Sequence, residues 1–210
     1  MIGILVDLDG VLWFSEELHK SAFIKALSEF TDEAQEIVNK TWMFGEPTEL
    51  YARKLLNVGG IKFQEQILDS LVVKKRLFAD QTDSVPLNTS LLRFLRQIKN
   101  SNVLISLVSS SSKSNVAKFL TISKSYDIFD CLVDLSSVTK PKPHPDCYEF
   151  AIRKLGLEPS KCLAIEDSDI GIQSAKAADI KVVLRYSGST SGEDFYTTLN
   201  SEFLRISKND

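Results

Sequence analysis

Cysteine is scarce in this 210-residue chain: only Cys131, Cys147 and Cys162 are present. The number is odd and no C-x-x-C pair occurs. That argues against a disulfide framework and a structural zinc site, and leaves buried thiols in a reducing compartment as the expectation. Long apolar runs are also missing. No stretch approaches the roughly 18 uncharged apolar residues that span a bilayer. The start, Met1-Ile2-Gly3-Ile4-Leu5-Val6-Asp7, has neither the basic region nor the long apolar region of a secretory signal. The expectation is a cytoplasmic protein with no membrane partner. A basic excess is lacking too: 25 Lys+Arg stand against 28 Asp+Glu, for a net charge of −3. That argues against a general nucleic-acid binder. What remains is an ordinary globular composition, 43% hydrophobic and 25% charged. The length suits one domain, or one domain with a modest insertion, and can bury a core without staples.

Ile2 to Leu8 is a short apolar run ending in Asp7-Leu8-Asp9-Gly10, which reads as a buried strand entering a loop. Ser15 is a candidate N-cap, with Glu16 and Glu17 in the first turn of a helix, where the dipole favours them. Leu18, Ala22, Ala26 and Phe30 recur every four residues after it. Further helices are predicted at about 33–40, 47–57 and 62–82, with Pro47 at a first helical position. No strand is expected between about residues 15 and 84. After Pro86 the rhythm changes. Predicted helices at 88–99, 114–122, 145–155 and 169–178 alternate with strands at 103–108, 131–134, 162–165 and 182–184. Gly156 serves as a helix stop, and Phe195, Leu199 and Phe203 suggest a last short helix. Alternation of this kind implies βαβ units and a parallel sheet. The fold class is therefore α/β, a Rossmann-like sheet core made of residues 1–14 and 85–210, with a helical cap at 15–84 inserted after the first strand.

Ligands of such sheets bind beyond the carboxyl ends of the strands. The first strand ends in Asp7 and Asp9, the second in Ser109, and the fourth in Glu166-Asp167-Ser168, while Lys142 lies in a later loop. Four carboxylates converging on one rim repel one another unless a cation sits among them. Oxygen ligands with room for water suit Mg²⁺. A lysine and the helix N-termini behind these strands suit an anion. Metal, nucleophilic carboxylate and anion site together indicate phosphoryl transfer.

These residues resemble the haloacid dehalogenase (HAD) superfamily. Asp7-Leu8-Asp9-Gly10-Val11-Leu12 is similar to its motif I. Ser109 resembles the motif II Ser/Thr, with Ser110 as the one-residue alternative. Lys142-Pro143-His144-Pro145-Asp146 resembles motif III. Glu166-Asp167-Ser168-Asp169-Ile170-Gly171-Ile172 looks like motif IV of the β-phosphoglucomutase-like and phosphoglycolate-phosphatase-like branch. The likeness runs from the first strand to about residue 185, and the insertion at 15–84 matches the place of the family's C1 helical cap. It implies Asp7 as the nucleophile that forms an aspartyl-phosphate and Asp9 as the general acid/base. It implies Mg²⁺ on the Asp7 carboxylate, the Asp9 backbone carbonyl and Asp167, with Glu166 beside it through water or as an alternative ligand. Ser109 and Lys142 would hold the phosphoryl oxygens. Lys142 and Mg²⁺ are expected to depress the pKa of Asp7.

The implied activity is a Mg²⁺-dependent phosphatase acting on a small phosphorylated metabolite, as a monomer or weak dimer. Two alternatives stand beside it: a phosphosugar mutase, and a catalytically silent binding module on the same fold. Such mutases use a cap arginine shortly after a cap glycine, whereas Gly45-Glu46-Pro47-Thr48 has none. A dehalogenase or phosphonate hydrolase is disfavoured by the acid at Asp9. Other residues have blander readings. His19 is assigned to surface or packing, and His144 to structure or solvent. Lys140 is a lesser rival of Lys142. Gly171 and Ala175 are assigned to close helix–sheet packing. Lys75, Arg76 and Lys113 are expected on solvated faces.

Overall fold

The computed structural model describes residues 1–43, 46–81, 85–100, 102–187 and 193–208. Gly45, the boundary residue Ser84 and Gly188 lie outside them. The chain divides into two compact units, Met1–Phe14 with Leu87–Asp210, and Ser15–Pro86.

The first unit opens with β1 (Ile2–Val6), all five residues buried. The second unit follows: α1 (Glu16–Leu27), α2 (Ala34–Thr41), α3 (Thr48–Val58) and α4 (Glu65–Asp80). Their apolar faces meet in a core that includes Phe23, Leu27, Val38, Leu55 and Leu71. Phe23, Trp42 and Tyr51 pack edge to face, with ring centroids 4.9 Å (Phe23–Tyr51) and 5.4 Å (Trp42–Tyr51) apart, the arrangement that aromatic quadrupoles favour. Ser15 differs from expectation. Its backbone is turned (φ −88°, ψ 2°) and its side chain makes no capping bond, because a cap oxygen reaches the first-turn amides from extended backbone. Pro47 sits one residue earlier than expected, just before α3.

Back in the first unit come α5 (Thr89–Ile98), β2 (Val103–Val108), α6 (Lys113–Ser123), β3 (Cys131–Val133), α7 (Asp146–Leu155), β4 (Cys162–Glu166), α8 (Asp169–Ala177), β5 (Val182–Arg185) and α9 (Glu193–Ser207). The last helix is longer than Phe195, Leu199 and Phe203 alone suggested. The two chain crossings are pinned side by side in this unit: the Asn88 N–H donates to the Leu12 carbonyl at 2.9 Å and the Asn88 side-chain amide to Val11 O at 2.8 Å.

Among the described residues the sheet has five strands in the order β3-β2-β1-β4-β5. Every pairing is parallel. The chain winds outward from β1 in one direction, then crosses back to β4 and winds the other way. The strand order therefore reverses between β1 and β4, where such sheets open a crevice at the carboxyl ends. Cys147 and Cys162 are buried, and burial pushes both thiols up, Cys162 to about 12. No helix among the described residues is long and apolar enough to cross a membrane.

Candidate active site

β1 delivers Asp7 to the crevice. The Asp7 amide bonds Ile165 O at 3.0 Å, which extends the β1–β4 pairing one residue and fixes the backbone of the carboxylate. The turn after it closes on Leu8 O, which accepts from the amides of both Leu12 and Trp13 at 2.9 Å. Gly10 stands at φ +81°, a conformation that a side chain disfavours; glycine there lets the chain fold back behind Asp9. β4 brings Glu166 and Asp167. Behind them Ser168 Oγ accepts from the Gly171 amide at 3.1 Å and caps α8.

Lys142 enters from the loop before α7 and is 5% exposed, against 7% for Asp7 and 0% for Glu166. Its ammonium donates to Asp7 Oδ1 at 2.6 Å, to Glu166 Oε1 at 2.5 Å and to Val108 O at 3.0 Å. An ammonium has three protons, so each is engaged. Burial pulls the Lys142 pKa down, but Asp7 and Glu166 outweigh it and hold the lysine charged. Lys142 lowers the pKa of Asp7 as expected, yet the net shift is upward. Burial first, then Glu166, with Asp167 and Asp9 behind, push its carboxyl well above the usual range, and Lys142 offsets only part of this. One ammonium does not balance the carboxylates around it. Asp167 is pushed up to about 7, by burial and then by Glu166.

A cluster of carboxylates with this little compensation can hold a cation. Asp7, Glu166 and Asp167 each offer an oxygen, and those oxygens lie within 4.8 Å of one another. Hard carboxylate oxygens at that spacing fit a divalent ion such as Mg²⁺. The Asp9 carboxylate is outside this group and turns toward β2, where the Ser111 hydroxyl donates to its Oδ2 at 2.6 Å.

Of the two serines singled out at the end of β2, Ser109 is buried and Ser110 exposed. Ser109 Oγ accepts from the Ser111 amide at 2.9 Å. Ser111, the partner of Asp9, was not foreseen. Tyr148 on α7 was also missed: its hydroxyl donates to Glu166 Oε1 at 2.6 Å. Gly171 does more than pack a helix, because a Cβ built there would overlap the Glu166 carboxylate. Arg185, at the end of β5, donates to Asp167 O at 2.7 Å and pairs with Asp169, holding the loop that carries Asp167. His144, Lys140, Arg76 and Lys113 are exposed. Lys75 corrects its expectation: it is 6% exposed, not solvated. Within the helical unit its ammonium lies 3.1 Å from His19 Nδ1 and 5.1 Å from the Phe23 ring centroid.

The model of the haloacid dehalogenase-like hydrolases matches residues 4–185. The chain is 30% identical over 209 residues to protein CbbY of Rhodobacter capsulatus, covering 92% of this chain and 88% of that protein. It is 30% identical over 189 residues to β-phosphoglucomutase of Bacillus subtilis, covering 87% and 82% of the two chains. Among solved structures it is similar in fold to a variant of CbbY from Rhodobacter sphaeroides in complex with xylulose 1,5-bisphosphate, with TM-score 0.66, 22% identity and 92% of each chain covered. With a parallel sheet, an acidic cluster at its carboxyl rim and a match from β1 to the end of β5, the chain belongs to the haloacid dehalogenase-like hydrolases and is an enzyme of that family.

Proposed function

We propose that this protein is a Mg²⁺-dependent phosphatase that hydrolyses a small phosphorylated metabolite, a sugar phosphate above all, through a phosphoryl group carried on Asp7. The observation that carries the reading is the position of Asp7: buried at the end of the central strand, with Oδ1 on Lys142 and two more carboxylates within reach of one cation.

With Oδ1 held by Lys142, Oδ2 is the oxygen that meets phosphorus. Asp7 and Asp167, with the Asp9 backbone carbonyl that the family resemblance adds, would hold the ion. When bound, Mg²⁺ would offset charge on the phosphoryl oxygens and favour the ionised form of Asp7. Asp9 stands two residues on and tethered to Ser111, so its carboxyl stays clear of the cluster and is available for proton transfer. It protonates the departing alkoxide, then takes a proton from the attacking water. Ser109 and the Lys142 ammonium supply donors to the equatorial oxygens, where a phosphoryl transition state gathers charge. A phosphoryl oxygen reaching Lys142 shares or replaces one of its three present acceptors.

Relatives named for CbbY and for β-phosphoglucomutase support a sugar phosphate as substrate. Hydrolysis is favoured over mutase chemistry because Glu46-Pro47-Thr48 carries no arginine to hold a second phosphate. The test is a panel of pentose and hexose phosphates and bisphosphates, phosphoglycolate, nucleotides and pyrophosphate. Inorganic phosphate is measured with Mg²⁺ and with chelator. Phosphate release that chelator stops is the expected result. Isomerised sugar phosphate without free phosphate identifies a mutase, and no turnover of any compound identifies a silent module.

A further inference from the structure

Glu166 is completely buried, and each of its sides is occupied. Oε1 accepts from the Lys142 ammonium at 2.5 Å and from the Tyr148 hydroxyl at 2.6 Å. Oε2 lies 3.5 Å from Ser168 Oγ, and the bare Cα of Gly171 leaves the carboxylate just enough room. A carboxylate walled in this way is a fixed point. Lys142 has the longer and more flexible stem of the pair, four carbons ending in the ammonium that bridges Glu166 and Asp7. Tyr148 addresses both members at once: its ring centroid is 5.2 Å from the Lys142 nitrogen and its hydroxyl is on Glu166. Tyr148 itself is 0% exposed and packs in the core beside Val108, Ala151 and Ile152. A phenylalanine would fill that space equally well, so packing does not account for the hydroxyl.

We propose that Tyr148 is a positioning residue of the phosphoryl-transfer site: its hydroxyl locks the Glu166 carboxylate as the anchor that keeps the Lys142 ammonium on Asp7. This rests on the phosphatase reading above. On this account Glu166 serves the reaction mainly through Lys142, because Oε1 is taken by two donors. A cation would find only Oε2. The hydroxyl touches neither substrate nor reacting atoms, and acts by removing the freedom of Glu166 to turn and draw the lysine away.

The test compares Tyr148→Phe, which removes only the hydroxyl, with Tyr148→Leu, which also removes the ring. The best phosphate ester of the panel is used at saturating Mg²⁺. Tyr148→Phe should lower kcat by about 10–100-fold, the usual cost of losing a partner that orients a reacting group, with KM and the Mg²⁺ half-saturation close to wild type. In a Glu166→Gln background the same change should have no further effect on kcat. The Lys142 ammonium signal in ¹⁵N-lysine NMR, assigned by its loss in Lys142→Met, should shift or broaden in Tyr148→Phe. A Tyr148→Phe enzyme with wild-type kcat overturns the proposal and leaves Tyr148 a packing residue. So does an equal slowing of the Glu166→Gln enzyme, a loss that extra Mg²⁺ repairs, or an unmoved ammonium signal. If the wild-type protein hydrolyses none of the esters, the phosphatase reading falls on its own, and the ammonium signal still decides whether Tyr148 positions Lys142.

Discussion

The interior of the helical unit and the rim of the sheet both bury side chains, yet they are built on opposite principles. In the helical unit Phe23, Val38, Leu55 and Leu71 meet in an apolar core, with the buried ammonium of Lys75 beside the Phe23 ring. Each contact contributes to stability. At the rim, Asp7, Glu166 and Lys142 are buried together, and the carboxyl of Asp7 is held far above its usual range. Buried charges cost more in desolvation than they return unless fully paired, and here one ammonium serves two carboxylates. The rim is thus a place where stability is spent on function, while the helical interior is where it accumulates. Substitutions should separate the two: rim changes should stop the reaction and leave the fold standing, and helical-core changes should do the reverse.

The largest effect is expected from Asp7→Asn. Phosphate release should fall to background, while the melting temperature stays level or rises, since one member of a crowded carboxylate group has been neutralised. Parallel turnover and thermal-melt measurements check this; a collapsed melt would make Asp7 a structural residue. Asp9→Asn should slow alkyl phosphates by about 10²–10⁴-fold, the range for a lost general acid/base, again with an intact melt. Leu55→Ala, in the helical interior, should cost about 2–5 kcal/mol of unfolding free energy and leave turnover of the folded enzyme near wild type. Denaturant unfolding read beside kcat decides; a large loss of kcat in the folded protein would join the two regions that the comparison separates.

Asp167→Ala should raise the Mg²⁺ concentration for half-maximal activity by about 10-fold or more, as weakened metal sites do. A Mg²⁺ titration with an unmoved midpoint would remove Asp167 from the ion. The smallest effect concerns pH. Without a cation, Asp7 lies above its unfolded pKa and Asp167 lies at about 7. The native state then binds more protons than the unfolded chain between about pH 4 and 7, so stability falls as pH rises through that window. Chelated protein should lose on the order of 1 kcal/mol, or about 2–4 °C in melting temperature for a chain of this size, and saturating Mg²⁺ should flatten the decline. A flat profile in chelator would contradict the crowding of charge at the rim.

The same contrast explains what could be read in the sequence. Helix and strand periods in 15–84 and 87–187 follow from burying apolar faces, a local pattern, so the alternation of elements was legible throughout. Asp7, Asp9, Glu166 and Asp167 were legible because they follow strand ends, and Lys142 because Lys142-Pro143-His144-Pro145-Asp146 resembles a family motif. Tyr148, Ser111 and the buried state of Lys75 were not. Each depends on a contact far along the chain: Tyr148 with Glu166, Ser111 with Asp9 across 102 residues, Lys75 with His19 across 56. Nothing in the periodicity of α7 distinguishes a tyrosine that fills the core from one whose hydroxyl ends on a carboxylate. Ser111 lies in the bend after β2, where the strand period no longer says which side a serine takes. Lys75 had a usable signal, since it falls four residues after Leu71 on the buried face of α4.

The most direct test of the account is to trap the phosphorylated enzyme. Asp9→Asn is mixed with p-nitrophenyl phosphate and Mg²⁺, quenched in acid, and analysed by mass spectrometry of the intact chain and its peptides. The leaving p-nitrophenolate needs no proton, so the first step should proceed and the second should stall. The account predicts a burst near one equivalent of p-nitrophenolate per enzyme, and a gain of one phosphoryl group on the peptide that holds Asp7. Steady release of p-nitrophenolate with no added mass, or a phosphoryl group on any other residue, would contradict it.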